Sequence, residues 1–439
     1  MRLGRLAGVI AAVAIAESVA VPLRRLPQPL GIVLVTLDTT RADRLSPYGF
    51  MDISLPHLER LAREGVVFDQ ATSVAPLTLP AHTTLLTGLL PPNHGVRDNA
   101  DPPLAPSQTT LAEVLRARGF RTGAFVASTV LDPDRGLHQG FERYQGVGSG
   151  SRPPDARQRR ADRVVTDALR WLETIPESRF FLWTHLYDPH RPYDPPEPYR
   201  TQYAHSLYLG EIAFADSQIG RLLEALERRG LLHRTIVVVA GDHGESLGER
   251  GERDHGILIY ENVLRVPLIV RVPGIAPFRI GEVVRLTDLM PTILDLLDVA
   301  GPPSDGVSLV DLIGGRRRGL DLEAYAESLY PGRFGCSTLR ALRQGRFKVI
   351  DAPDPELYDL QRDPFEQHDI HEDRPALARA MTMRAASLAE GRAVVGNGEA
   401  AASDLHERLA SVGYIGAAGA APQPPVRADP RECARASLR

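Results

Sequence analysis

Two stretches of this chain are continuous apolar, β-branched runs, GIVLVTL (31–37) and TIVVVAG (235–241), and FFLWTHL (180–186) reads as a strand between them. Runs of that length and texture predict strands buried on both faces. Between them the period lengthens. LPHLERLAREGVVF (55–68) predicts a helix opening at Pro56 with leucines at 55, 58 and 61, then a strand near Val66-Val67-Phe68. TTLAEVLRARG (109–119) predicts a helix closing at Gly119 and leading into strand-like TGAFVA (122–127). Amphipathic helices follow over 161–175 and 210–230, a strand over 266–273 and a helix over 287–299. Strands alternating with helices imply an α/β fold, a doubly wound, mostly parallel sheet flanked by helices, over about 30–334. From 335 the pattern changes to short alternating runs broken by turn residues, which predicts a small antiparallel α+β subdomain over 335–375. Residues 376–439 read as one helix and then Ala-, Gly- and Pro-rich sequence, with 416–439 expected to be disordered.

Ahead of the first strand, a basic start (Met1 to Arg5), the apolar run LAGVIAAVAIA (6–16) and small residues at Ser18-Val19-Ala20 form a secretory signal pattern. Residues 1–29 are therefore expected to be a signal peptide or N-terminal anchor with a linker, in an exported protein, periplasmic or extracellular. The run is short for a membrane span and Glu17 interrupts it, so an uncleaved anchor is the second choice. Charge adds little: 51 Lys plus Arg against 55 Asp plus Glu give −4, which asks for no nucleic-acid partner. The sequence says nothing of oligomeric state. Cys336 and Cys433 are the only cysteines, which excludes a disulfide framework and a cysteine metal site. They are able to pair in an oxidising compartment, but their distance along the chain does not favour it.

Candidate chemistry gathers at the carboxyl ends of strands, where open parallel sheets bind ligands. Asp38 follows the first strand, and Asp242 with His243 follows TIVVVAG. Each alone reads as a turn cap or a loop; together they make a suitable set for a divalent cation. THLYDPHRPYDPPEPY (184–199) packs His185, Asp188, His190 and Arg191 between prolines, and His255 lies shortly after the acidic pair. The uncharged stretch APLTLPAHTTLLTG (75–88) predicts a loop running into a short helix that starts at Pro80 and stops at Gly88. Thr78 there reads either as an N-cap or as a group presented to chemistry.

These segments resemble the sulfatase family of the alkaline-phosphatase superfamily. The matching pieces are VLVTLDTTRADRLSPYG (33–49), TLPAHTTLLTG (78–88), PPNHGVRDN (91–99), YDPHRPY (187–193), GDHGESLGERGERDHG (241–256), IYENVLRVPLIVRVPG (259–274), TDLMPTILDLL (287–297) and ELYDLQRDPFE (356–366). They run in order over about 30–375. The resemblance implies an alkaline-phosphatase-like sheet and metal ligands at Asp38, Asp242 and His243. It also implies that His190 and His255 contact the transferring group and that Thr78 stands at the nucleophile position. The family pattern there is Cys/Ser-x-Pro-x-Arg, whose first residue is oxidised to formylglycine. Thr78 is a secondary alcohol, and its oxidation gives a ketone rather than that aldehyde. His82 replaces the arginine, Thr39 replaces a common second aspartate, and no Lys or His counterpart occurs around Ala127 to Thr129.

A threonine hydroxyl serves as a nucleophile when a metal lowers its pKa, and a helix start directs amides at an anion. His82, His190 and His255 are then candidates to stabilise oxygens or protonate a leaving group. The cofactor expected is one divalent metal ion, calcium first, with magnesium, manganese or zinc admitted by His243. Three readings follow: a hydrolase of small phosphate or phosphonate esters through Thr78, a sulfate-ester hydrolase without formylglycine, and a non-catalytic anion binder. The first is weakly favoured.

Overall fold

The computed structural model describes residues 31–148, 158–175, 179–391 and 428–436. Its larger sheet is built from β1 (Gly31–Leu37), β2 (Val66–Thr72), β3 (Arg121–Phe125), β4 (Arg143–Gln145), β5 (Phe180–Leu186), β6 (Thr235–Gly241), β7 (Arg265–Arg271) and β8 (Phe278–Arg285). The spatial order is β4-β3-β5-β1-β6-β7-β2-β8. β1 lies at the centre, parallel to both β5 and β6. The sheet is mostly parallel, but β7 runs antiparallel to both of its neighbours, β6 and β2.

The unbroken apolar runs fill two cores at once, because successive side chains leave a strand on opposite faces. Ile32, Leu34, Phe181, Trp183, Ile236 and Val238 face one layer. Helix α2 (Thr78–Thr87) and the helices Leu111–Ala117 and Leu289–Leu296 cover it. Val33, Val35, Leu182, Val237 and Val239 face the other, under helix α1 (Pro56–Glu64) and the helices Ala161–Thr174 and Leu207–Arg228. Asp216 on the last of these accepts the amides of His57 and Leu58, capping α1 from outside its own sequence.

A four-stranded antiparallel sheet stands apart: β9 (Glu323–Ser328), β10 (Leu339–Gln344), β11 (Phe347–Asp351) and β12 (Glu356–Asp359), in the order β12-β11-β10-β9. Helix Pro375–Glu390 packs Ala378, Met381 and Ala385 against Tyr325, Leu342, Val349 and Leu357. The sheet thus takes its first strand from before residue 335, because the buried segment EAYAES pairs with β10. Two further expectations change. Cys336 and Cys433 are joined by a disulfide, and Pro430–Ala436, inside the stretch expected to be disordered, is a helix. Contacts distant in sequence hold it: Ser337 donates its amide to the Ala428 carbonyl, and Arg431 pairs with Glu356 at 2.5 Å. The expected signal segment lies outside the described residues. Among those described, no helix is long and apolar enough to cross a membrane.

Candidate active site

The central strands put the acidic residues side by side. Leu37 is in register with both Leu186 and Gly241, so the next residues, Asp38, Tyr187 and Asp242, emerge together at one end of the sheet. Backbone bonds carry the pairing one step further, Asp38 N to Leu186 O at 3.0 Å and Asp242 N to Leu37 O at 3.2 Å. Thr39 then turns the chain with φ of 46°, a left-handed conformation that is costly for a β-branched residue. Its hydroxyl donates to the Pro189 carbonyl at 3.0 Å, so Thr39 ties β1 to the loop after β5.

Asp38, Asp242 and His243 form a fully buried cluster with ligand atoms within 4.8 Å of one another. His243 Nε2 stands 3.6 Å from Asp38 Oδ1 and 3.6 Å from Asp242 Oδ2. Its Nδ1 faces the Gly244 carbonyl at 3.0 Å, which accepts only, so Nδ1 carries the proton and Nε2 presents a lone pair. Burial, and then the charge of His255, draw the His243 pKa down to about 3, so the ring is neutral. Both Asp38 oxygens and Asp242 Oδ2 are buried without a hydrogen-bond donor. A lone pair 3.6 Å from an oxygen of each carboxylate is repulsive by itself and matches the donor set of a divalent cation. Titration agrees. Burial raises the Asp38 pKa, yet the close approach of His185 and the charges of His190 and His243 outweigh it and hold Asp38 low. Burial and the Asp38 charge push Asp242 well up. Two acids so close do not both ionise readily without a cation.

Thr78 opens α2 as its first residue, with Leu77 as the cap. It is therefore not the N-cap, and Pro80 is the third helical residue rather than the first. Gly88 does end the helix, at φ of 68° with its amide on Thr84 O. Thr78 Oγ1 lies 3.3 Å from His243 Nε2, which places the hydroxyl against the carboxylate cluster.

His82, one turn on, faces inward. Its Nδ1 donates to Thr78 O at 2.7 Å, so its Nε2, 2.9 Å from Thr36 Oγ1, must accept. Burial first, with the charge of His185, lowers the His82 pKa well below the usual value. Both nitrogens are thus used in holding the first turn of α2. Thr36 Oγ1 also accepts Trp183 Nε1–H at 3.0 Å and contacts His185 Nδ1 at 3.3 Å, while His185 Nε2 approaches Asp38 Oδ2 at 3.3 Å. Sequence reasoning singled out neither Thr36 nor Trp183 as site residues; inside an apolar strand they look like core, and only the pairing of β1 with β5 brings them under the cluster.

His190 and His255 close the outer side. Their rings are 5.0 Å apart, and His255 is 4.5 Å from the His243 ring. His255 Nδ1 is shared by Glu245 Oε1 at 3.1 Å and Asp254 Oδ1 at 2.9 Å. Burial lowers its pKa, but Glu245 and Asp254 outweigh that and raise it well above the usual value, so the ring carries a proton on each nitrogen. Burial leads the opposite shift at His190 and leaves that ring neutral. Glu245, held through its other oxygen by the Tyr193 hydroxyl at 3.0 Å, was missed in the sequence; its place two residues after His243 is the only signal. The arrangement offers a cation site, a hydroxyl and an imidazolium around one point, which suits transfer of an anionic group.

Comparison with known proteins points the same way. The sulfatase family model matches residues 31–299, and the model for the C-terminal part of N-sulphoglucosamine sulphohydrolase matches 248–391. The chain is 26% identical to an ulvan-active sulfatase of Formosa agariphila, with 78% of this chain and 77% of that protein covered. It is 28% identical to a choline-sulfatase of Rhizobium meliloti, covering 81% and 86%. Among solved structures, a phosphonate monoester hydrolase of Agrobacterium radiobacter shares the fold with a TM-score of 0.69 at 23% identity, covering 82% of this chain and 95% of that one.

Proposed function

Because the chain belongs to the sulfatase family, we propose that it is a metal-dependent hydrolase of small sulfate or phosphate/phosphonate esters, with Thr78 as nucleophile. The observation that carries this is the Thr78 hydroxyl, 3.3 Å from a histidine whose lone pair faces two buried carboxylates. A divalent cation bound by Asp38, Asp242 and His243 supplies charge neutralisation and lowers the pKa of a nearby hydroxyl. The chain's own groups do the rest. His82 fixes the Thr78 backbone, and Thr78 Oγ attacks the phosphorus or sulfur as its proton passes to water. The bond to the leaving oxygen breaks, and the His255 imidazolium protonates that departing alkoxide to give the alcohol. Water then attacks the threonine ester, releases the inorganic anion and restores the hydroxyl.

Phosphoryl transfer is the favoured chemistry, because a threonine cannot supply the formylglycine of the usual sulfate-ester route. The two curated relatives, both named sulfatases, favour the sulfate reading. Export to an oxidising compartment belongs to the same proposal, supported by the signal-like N-terminus and the Cys336–Cys433 disulfide. Calcium leads as the metal on its preference for oxygen ligands, while His243 also admits zinc. The test is turnover of matched nitrophenyl phosphate, phenylphosphonate and sulfate esters by wild type and Thr78→Ala with each divalent metal. Turnover lost in Thr78→Ala supports the nucleophile, and turnover that survives removes it. Absence of metal binding together with no turnover of any ester supports the non-catalytic anion binder.

A further inference from the structure

The helix Pro430–Ala436 has seven residues, and a helix under about 12 residues is not stable alone in water. Its place is fixed from outside. Ala434 is fully buried, Cys433 packs half-buried against the same core, and the bond to Cys336 ties the helix to the segment before β10. Pro430 and Arg431 line a crevice with Leu258 and Tyr260.

Both surfaces that the helix grips lead to the site. Arg431 pairs with one oxygen of Glu356 at 2.5 Å, and the other oxygen accepts the Tyr260 hydroxyl at 2.7 Å. The Arg250 guanidinium lies 3.8 Å over the Tyr260 ring, which anchors the loop that carries His255. That loop closes on itself where Ser246 donates its amide to Asp254 O at 3.0 Å, and Asp254 in turn holds His255 Nδ1. On the other side, Cys336 donates its amide to Pro331 O at 3.1 Å, just past the turn Tyr330–Phe334. Tyr330 presses on Gly256: a Cβ there would lie 3.0 Å from the Tyr330 ring and 3.3 Å from Leu77. Gly256 follows His255 and Leu77 precedes Thr78, so this one turn braces the chain beside both reacting groups.

We propose that the Cys336–Cys433 disulfide is a redox switch on activity. Closed, it clamps the C-terminal helix against the segments that place His255 and Thr78; opened by a thiol, it frees the helix and slows the reaction. This rests on the hydrolase reading above. Opening takes two thiol equivalents. A thiolate attacks Sγ of the half-buried Cys433 and displaces the Cys336 thiolate, and a second thiolate then takes the first as a disulfide, leaving both cysteines reduced. A disulfide oxidant reverses the exchange. With the export reading, the chain is slow among the thiols of a reducing compartment and reaches full rate once oxidised.

The experiment uses metal-saturated wild type, oxidised and then reduced with dithiothreitol, beside Cys433→Ser treated in the same way. The variant separates loss of the bond from any action of the thiol on the metal. Reduction should lower the wild-type kcat at least about tenfold, since a misplacement of about 1 Å at a reacting group can cost a hundredfold. KM should stay within a few-fold, and oxidised glutathione should restore the rate. Cys433→Ser should run at the reduced rate with or without dithiothreitol. Amide hydrogen exchange over residues 249–258 should quicken on reduction while β1 and β6 stay protected, which separates a loosened loop from an unfolded protein. The proposal is overturned if protein with two free thiols keeps kcat within twofold, if exchange over 249–258 is unchanged, or if β1 and β6 lose protection together with the loop. An oxidised wild type that turns over no ester refutes the hydrolase reading, and the exchange comparison still decides whether the bond holds the loop.

Discussion

Replacing Thr36 by Val keeps the shape of the side chain and removes one hydroxyl on which three buried groups converge. The count of protons shows what is lost. Thr36 Oγ1 accepts from Trp183 Nε1–H, donates to His82 Nε2 and contacts His185 Nδ1, and all four residues are fully buried. In Thr36→Val the Trp183 donor and the His82 acceptor are both left unsatisfied, at about 1–3 kcal/mol each, or about 2–6 kcal/mol together. The His185 contact, the longest of the three, adds least. Against a typical net stability of about 5–15 kcal/mol that is a severe loss from one atom exchange. Urea unfolding should show a lower midpoint with an unchanged slope. Function should suffer beyond stability, because His82 also holds the Thr78 carbonyl at 2.7 Å and His185 lies against Asp38. Under conditions where the variant is folded, kcat should fall at least tenfold, and Thr36→Ser should recover most of both losses. A Thr36→Val protein within about 0.5 kcal/mol of wild type, the range of an inert surface change, would refute the network.

Other perturbations follow from the same structure. Adding a divalent metal to chelator-treated protein should stabilise it by about 2.7 kcal/mol at a hundred times Kd, and Asp38→Asn and Asp242→Asn should abolish that response in a thermal melt. His94 accepts the Val96 amide on Nδ1 and bonds Thr84 through Nε2, and burial, with the Arg97 charge, depresses its pKa to about 3. Its folded value lies below its unfolded one, so its contribution is complete above about pH 6.5 and is lost as pH falls toward 3, at up to about 1.4 kcal/mol per pH unit. Denaturant midpoints for His94→Gln should lack that part of the acid slope; an identical slope removes the assignment. The disulfide closes 97 residues of chain, for which the loop-entropy relation gives about 4.7 kcal/mol, so Cys433→Ser or a reductant should lower stability by up to that amount in equilibrium unfolding, and no change would mean that the crosslink constrains nothing.

The central architecture was legible because its signal is local. β1, β5 and β6 coincide with the three mainly apolar stretches GIVLVTL, FFLWTHL and TIVVVAG, since a strand buried on both faces is apolar along most of its length. β8, FRIGEVVR, lies at the sheet edge with only Ile280 and Val284 buried, so no apolar run marks it. β4 is only three residues long. The direction of β7 cannot be read from VPLIVRVP, because a central strand has the same composition in either direction. The disulfide joins residues that no local pattern relates. At the site, Asp38, Asp242, His243 and Thr78 were visible as polar residues where strands and a helix begin or end, and the structure brings them together. Thr36 and Glu245 were not singled out, since their roles depend on which groups meet across elements far apart in sequence.

The rung of the sheet that carries Asp38, Tyr187 and Asp242 has a further consequence. Their relative positions are set by ladder register, and register changes only in whole residues. A single-residue slip of β6 against β1 would swing Asp242 to the opposite face of the sheet, so the site has no half-assembled intermediate to pass through. Spacing between a strand and its acidic end is therefore a stricter inheritance than the identity of the residues in the strand. Valine can drift to isoleucine along β1 without moving the carboxylate, whereas one inserted or deleted residue there deletes the centre outright.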